Sequence, residues 1–173
     1  MHLSDSYLYH FSEDGTIQQF VPRAVRDHPP QVWTINAEHA PNYLLPRDCP
    51  RICIACDETT THADRERFFG LTTAQRIIIA ESGWLERIRR TTLFCYTFAP
   101  ESFVEFDRHA GYWVSPHTVT PVAVHPIVDL LQTLLDCGVE LRFMPALQRM
   151  QDAVAQSSLQ FSMIRMRNQG NLI

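Results

Sequence analysis

Lysine is absent from this chain, and all fifteen of its basic residues are arginine. That absence excludes chemistry that needs a lysine nitrogen. No Schiff base can form, so pyridoxal phosphate enzymes and lysine-dependent aldolases are out. A standard P-loop and a protein kinase would each lack the lysine that meets the phosphates. Glycine is scarce, at six residues. No G-x-G-x-x-G turn marks a Rossmann dinucleotide site, and no G-x-S-x-G marks a nucleophile elbow. There is neither an H-E-x-x-H nor a paired C-x-x-C to suggest zinc. No apolar run is long enough to span a bilayer. Met1-His2-Leu3-Ser4-Asp5 has no basic segment leading into an apolar one, so the expectation is a cytoplasmic protein without a membrane partner. The net charge of -4 carries no basic surplus, which disfavours nonspecific nucleic-acid binding but leaves a local basic groove open.

What is present is an ordinary globular composition, 45% hydrophobic and 20% charged over 173 residues. That length suits one domain with a core that needs no staples. The five cysteines read as free thiols. Cys49, Cys53 and Cys56 have the C-x3-C-x2-C spacing that can hold an iron–sulfur cluster. The residues between them, Ile52, Ile54 and Ala55, read as a strand. Strand alternation would turn Cys53 and Cys56 to opposite faces. No metal is therefore expected. Cys95 and Cys137 read as core residues.

In chain order, strands are expected over 7–12, 32–35, 51–55, 93–98, 111–115, 119–124 and 139–143, with a short extended piece over 17–21. Residues 76–80 read as a strand, although Thr72 or Thr73 could instead cap a helix there. Residues 23–31 and 99–111 read as loops. Short helices are expected over 37–45, 62–69 and up to Arg90. Helical periodicity over 127–137, closed by Gly138, and a further helix over 145–157 lead to a polar tail. The fold class is α+β. One domain over 1–173 is expected, with a β-rich ligand-binding core over about 7–128, a helix-rich part over 127–160 and a tail over 161–173.

Tyr9-His10-Phe11-Ser12, then Val32-Trp33-Thr34 with Tyr43 in the following helix, then an acidic loop and Tyr112-Trp113-Val114-Ser115 form an ordered set. Over residues 8 to 128 this set resembles ADP-ribosyltransferase-like proteins, especially the rifampicin ADP-ribosyltransferase type. The chain as a whole also resembles a bacterial family of uncharacterised proteins opening on an LYHFSE pattern. The first resemblance implies a split β-sheet core with C-terminal helices and NAD as co-substrate. It implies that His10 holds the ribose of NAD. Phe11 stands where a glycine is usual, and Ser12 where threonine is common. Trp33 and Thr34 match the second-strand aromatic and hydroxyl, with Tyr43 and Tyr112 as aromatic walls. The usual catalytic glutamate is absent from the third motif, so the implied carboxylate is Asp107, with Glu105 second. Arg23 and Arg47 are available for the pyrophosphate.

The chemistry is coherent. Breaking the nicotinamide–ribose bond builds an oxocarbenium-like cation, which a carboxylate stabilises. The expected activity is transfer of ADP-ribose from NAD to an unknown acceptor. Two alternatives stay open: a non-catalytic nucleotide- or phosphate-binding module, and an RNA-end phosphotransferase on the same fold.

Overall fold

A computed structural model describes residues 3–25 and 28–170. The strands of the first half are β1 (Leu8–Ser12), β2 (Arg23–Val25), β3 (His28–Ile35), β4 (Arg51–Ala55) and β5 (Arg76–Glu81). Helix α1 (His62–Phe69) lies between the last two, and α2 (Leu85–Arg90) follows them. Next come β6 (Leu93–Phe98), β7 (Val104–Asp107), β8 (Tyr112–Ser115) and β9 (Ala123–Ile127). The chain then runs through α3 (Leu130–Asp136), β10 (Val139–Met144), α4 (Gln148–Ala155) and β11 (Gln160–Ile164). Helices and strands coexist as an α+β architecture. Contacts divide it into two compact units, residues 1–44 with 91–129 and residues 45–90 with 130–173.

The first unit is an antiparallel sheet in the order β7-β8-β3-β1-β6-β9, with β2 paired to β3. β1 and β6 pair along five residues, from Leu8 opposite Phe98 to Ser12 opposite Phe94. β1 and β3 register at one pair only, Tyr9 opposite Ile35. Past that pair the ladder stops. One side of this sheet closes a core of Leu8, Phe20, Val32, Tyr96, Phe98, Phe103 and Val119. Phe20 is its hub, meeting Tyr96 and Phe98 edge-on at centroid distances of 5.0 and 5.1 Å. Such edge-to-face aromatic contacts add to the burial of the rings themselves.

The second unit is a four-stranded sheet in the order β10-β5-β4-β11. β10 runs parallel to β5, and the other pairs are antiparallel. All five residues of β4 are buried, as a strand covered on both faces requires. Ile52, Ile54, Ile77 and Ile79 form its centre with Phe68 and Phe69 of α1 and Val154 of α4. Thr61 caps α1 by accepting the Asp64 backbone N–H, and Asp64 in turn accepts the Ser158 N–H at 2.8 Å.

Several expectations need correction. Of the loop expected over 23–31, residues 26–27 lie outside the described residues, and β2 and the start of β3 form an antiparallel pair on either side of them. Pro29 and Pro30 cannot donate to the ladder, and the pairing is irregular beside them. The helix expected over 37–45 is a 3-10 turn, Ala40–Tyr43, with Pro41 in its first positions. Residues 104–107, expected in a loop, form edge strand β7. Ile127 does not open a helix, because it pairs with Leu93 and ends β9. β4 and β5 group with the C-terminal helices and not with the preceding β-rich stretch. The stretch taken as a tail supplies β11, paired with β4 from Gln160 opposite Ala55 to Ile164 opposite Arg51. Among the described residues no helix is long and apolar enough to cross a membrane.

Candidate functional site

A hollow of about 370 Å³, counting space open to solvent, lies where β1 and β3 part in the first unit. Tyr9, His10 and Phe11 line it from β1, and Trp33 from β3. Tyr43 of the 3-10 turn and Tyr112 of β8 complete the aromatic wall. Alternation explains much of this. Tyr9 faces Ile35, and Ile35 also faces Tyr112 across β8, so these side chains share one face of the sheet. Trp33 lies two residues from Ile35 and on the same face, and its ring meets Tyr112 at 5.6 Å.

His10 is fixed at the edge of this gap. Its Nδ1 lies 3.0 Å from the Trp33 carbonyl oxygen, a contact that takes the place of the missing ladder. A carbonyl only accepts, so Nδ1 carries the proton. The ring also packs edge-on against Phe20 at 4.9 Å, which anchors it in the core.

The hydroxyls of Tyr43 and Tyr112 are hydrogen-bonded to each other. Gly111, just before Tyr112, brings their elements together. Its carbonyl accepts the Asn36 N–H at 2.9 Å, tying the turn after β3 to the start of β8. Tyr9 contributes only its ring, because its hydroxyl is engaged with both backbone groups of Ser4. Burial raises the Tyr9 pKa from its ordinary value, against the lowering effect of the Ser4 bond. The Trp33 indole Nε1 is buried and has no acceptor among the described residues.

The hollow thus gathers His10, Trp33, Thr34, Tyr43 and Tyr112 from the residues expected at a site. Thr34 is buried and donates its hydroxyl proton to the Trp113 carbonyl at 3.1 Å. The hollow does not gather the others. Ser12 accepts the Asp14 N–H and serves a turn. Arg23 is exposed on β2, and Arg47 is exposed in the second unit. Asp107 is exposed on β7, and its Oδ1 accepts the Ala110 N–H at 3.0 Å. Glu105 is exposed opposite Trp113. The lining contains no arginine, aspartate or glutamate. The wall residues Tyr9 and Phe11 were not among the expected contacts. Their signal was the unbroken aromatic run around His10.

A family model matches residues 9–169, and its description is a family of unknown function, DUF6886. The chain belongs to that family. No curated protein and no solved structure matches the chain. The DUF6886 match takes in all the residues that line the hollow, from Tyr9 to Tyr112.

The cysteine set resolves differently from the hollow. Cys49 and Cys53 are buried, and Cys56 is half-buried. Burial pushes the Cys49 thiol up to about 12 and the Cys53 thiol to about 11. Such groups stay protonated near neutrality, whereas metal ligation needs thiolate. Among the described residues no group of three or more His, Cys, Asp or Glu is placed to hold a metal ion.

Proposed function

We propose that the first unit binds a nicotinamide nucleotide of the NAD type in the gap between β1 and β3. The observation that carries this reading is the aromatic hollow beside a histidine held on the Trp33 carbonyl. The nicotinamide ring of NAD is a flat cation. A wall of Trp33, Tyr43 and Tyr112 without any arginine suits such a ring, through stacking and cation–π attraction. His10 lines the hollow with Nδ1 on the Trp33 carbonyl, and its ring would pack beside the ribose. The parting of two central strands beside His10 also supports an ADP-ribosyltransferase-like core, and a cytoplasmic location fits access to NAD.

Binding without turnover is the form of this function that the geometry favours, because no carboxylate lines the hollow. One observation favours ADP-ribose transfer as a second reading. Asp107 stands opposite Tyr112 in the β7–β8 register, one strand pair from the wall. Freeing its side chain from the Ala110 turn would be needed to bring a carboxylate to the ribose.

Calorimetry with NAD, ADP-ribose and nicotinamide separates these readings, with free nicotinamide followed by chromatography. NAD should bind, and His10→Ala should weaken it by about tenfold, or about 1.4 kcal/mol, because a wall residue is lost. Nicotinamide release that disappears in Asp107→Ala would establish the transferase. Absence of NAD binding would sink both readings.

A further inference from the structure

We infer that Gln31 and Trp33 form a subsite that reads the carboxamide of a bound nicotinamide and so selects the amide over the corresponding acid. It rests on the reading of the hollow as a nicotinamide-nucleotide site, and it names the group which that site selects. Two orphaned polar atoms point to it. Among the described residues, Trp33 Nε1 is a buried donor without an acceptor, and Gln31 Oε1 is a buried acceptor without a donor. Either one leaves an unmade hydrogen bond inside the protein, which is destabilising until a partner arrives.

The two side chains are neighbours. Gln31 and Trp33 are two positions apart on β3, so alternation puts them on one face of the sheet. Their places on the strand are roughly 7 Å apart. Trp33 lines the hollow, and Gln31 follows it on that face toward the start of β3. One small group that accepts at one end and donates at the other can bridge such a pair. A carboxamide does both. Its oxygen accepts the indole N–H, and its NH2 donates to Gln31 Oε1. A carboxylate only accepts, so it can meet Trp33 but faces Gln31 Oε1 with no proton between them.

The rings around Trp33 do not replace this partner. Phe106, Tyr112 and His28 meet the indole at centroid distances of 4.9, 5.6 and 5.7 Å. Aromatic faces are weak acceptors. The Tyr112 ring stands at 87° to the indole. A nicotinamide stacked on Tyr112 therefore cannot also stack on Trp33. That leaves the in-plane indole N–H for the carboxamide.

Calorimetry of the full chain with NAD and with its deamidated analogue, nicotinic acid adenine dinucleotide, tests the subsite. NAD should bind about tenfold more tightly, because the acid leaves Gln31 Oε1 unpaired. Gln31→Leu should bring the two affinities together. Trp33→Phe keeps a ring in the wall but removes the N–H, and should weaken both dinucleotides by about tenfold while the preference for NAD remains. The ratio is read within each variant, so a loss of folded protein cancels from it. The inference is overturned if wild type binds the two dinucleotides equally, if it prefers the acid, or if Trp33→Phe binds NAD as tightly as wild type. It is also overturned if Gln31→Leu keeps the preference, since an interior water would then be the partner of the two atoms. If neither dinucleotide binds, the nicotinamide reading of the hollow itself fails and the subsite with it, an outcome distinct from equal binding.

Discussion

Gly111 shows how one residue can position a wall of the hollow. Its φ of 72° lies in the left-handed region, where a side chain is strained. A Cβ there would also come within 2.5 Å of His39 Nδ1 and 2.6 Å of Asn36 Oδ1. Neither neighbour can easily withdraw. Asn36 Oδ1 accepts the His39 N–H at 3.0 Å and faces His39 Nδ1 at 2.9 Å. Gly111→Ala should therefore cost about 1–3 kcal/mol, the range for backbone strain with steric conflict. Urea unfolding would measure this loss. NAD affinity should fall in the same variant at temperatures where it remains folded, because Tyr112 follows directly. A fully stable variant with unchanged affinity would show that the Gly111 turn positions nothing.

At the scale of elements, legibility followed how local the determining physics is. The runs Arg51–Ala55 and Leu93–Phe98 are rich in branched and aromatic residues and form strands where expected. Helix α1 follows its Thr61 cap in the same way. Ile127 shows the limit, since it fits a helical stripe until its pairing with Leu93 is known. The site behaved similarly. Strand alternation puts Trp33 and Tyr112 on one face, whereas His10 and Tyr43 entered the expected set through the resemblance, and all four line the hollow. Ser12, Arg23 and Asp107 could not be placed from sequence, because turn hydrogen bonds and solvent claim their side chains only in the folded chain.

Two elements carry predictions of their own. Ile79 on β5 is fully buried in the isoleucine core. Ile79→Ala should cost about 2–5 kcal/mol, the usual range for truncating a packed core side chain, as read by denaturant midpoint. A loss below about 1 kcal/mol would mean that the core collapses around the gap. The α1 cap gives a pH dependence. Asp64 is held below the usual carboxylate range, first by the Ser158 backbone N–H and then by the Ser158 hydroxyl. Its folded pKa is thus below its unfolded value. The stability it adds is present above the unfolded pKa of about 4 and is lost as pH falls through the folded one. Asp64→Asn should lower the melting temperature at neutral pH and flatten its fall in acid. Parallel acid melts for wild type and variant would disprove the linkage.

Across the whole molecule, the free thiols report the opening of each unit separately. Cys95 lies in the first unit's sheet, whereas Cys49 and Cys53 lie in the second. Burial pushes Cys95 and Cys49 to about 12 and Cys53 to about 11. Cys56 and Cys137 are also raised by burial but are only partly covered. Alkylation requires both thiolate and access, so these two should react first in the folded chain at mildly alkaline pH. The other three should wait for local or global opening. Pulsed labelling across a urea series, resolved by peptide mass spectrometry, gives one curve for Cys95 and another for Cys49 with Cys53. Coincident curves would mean that the two units open together, and separated curves would order their stabilities. If Cys53 reacts as fast as Cys56 without denaturant, β4 is not the covered central strand described here.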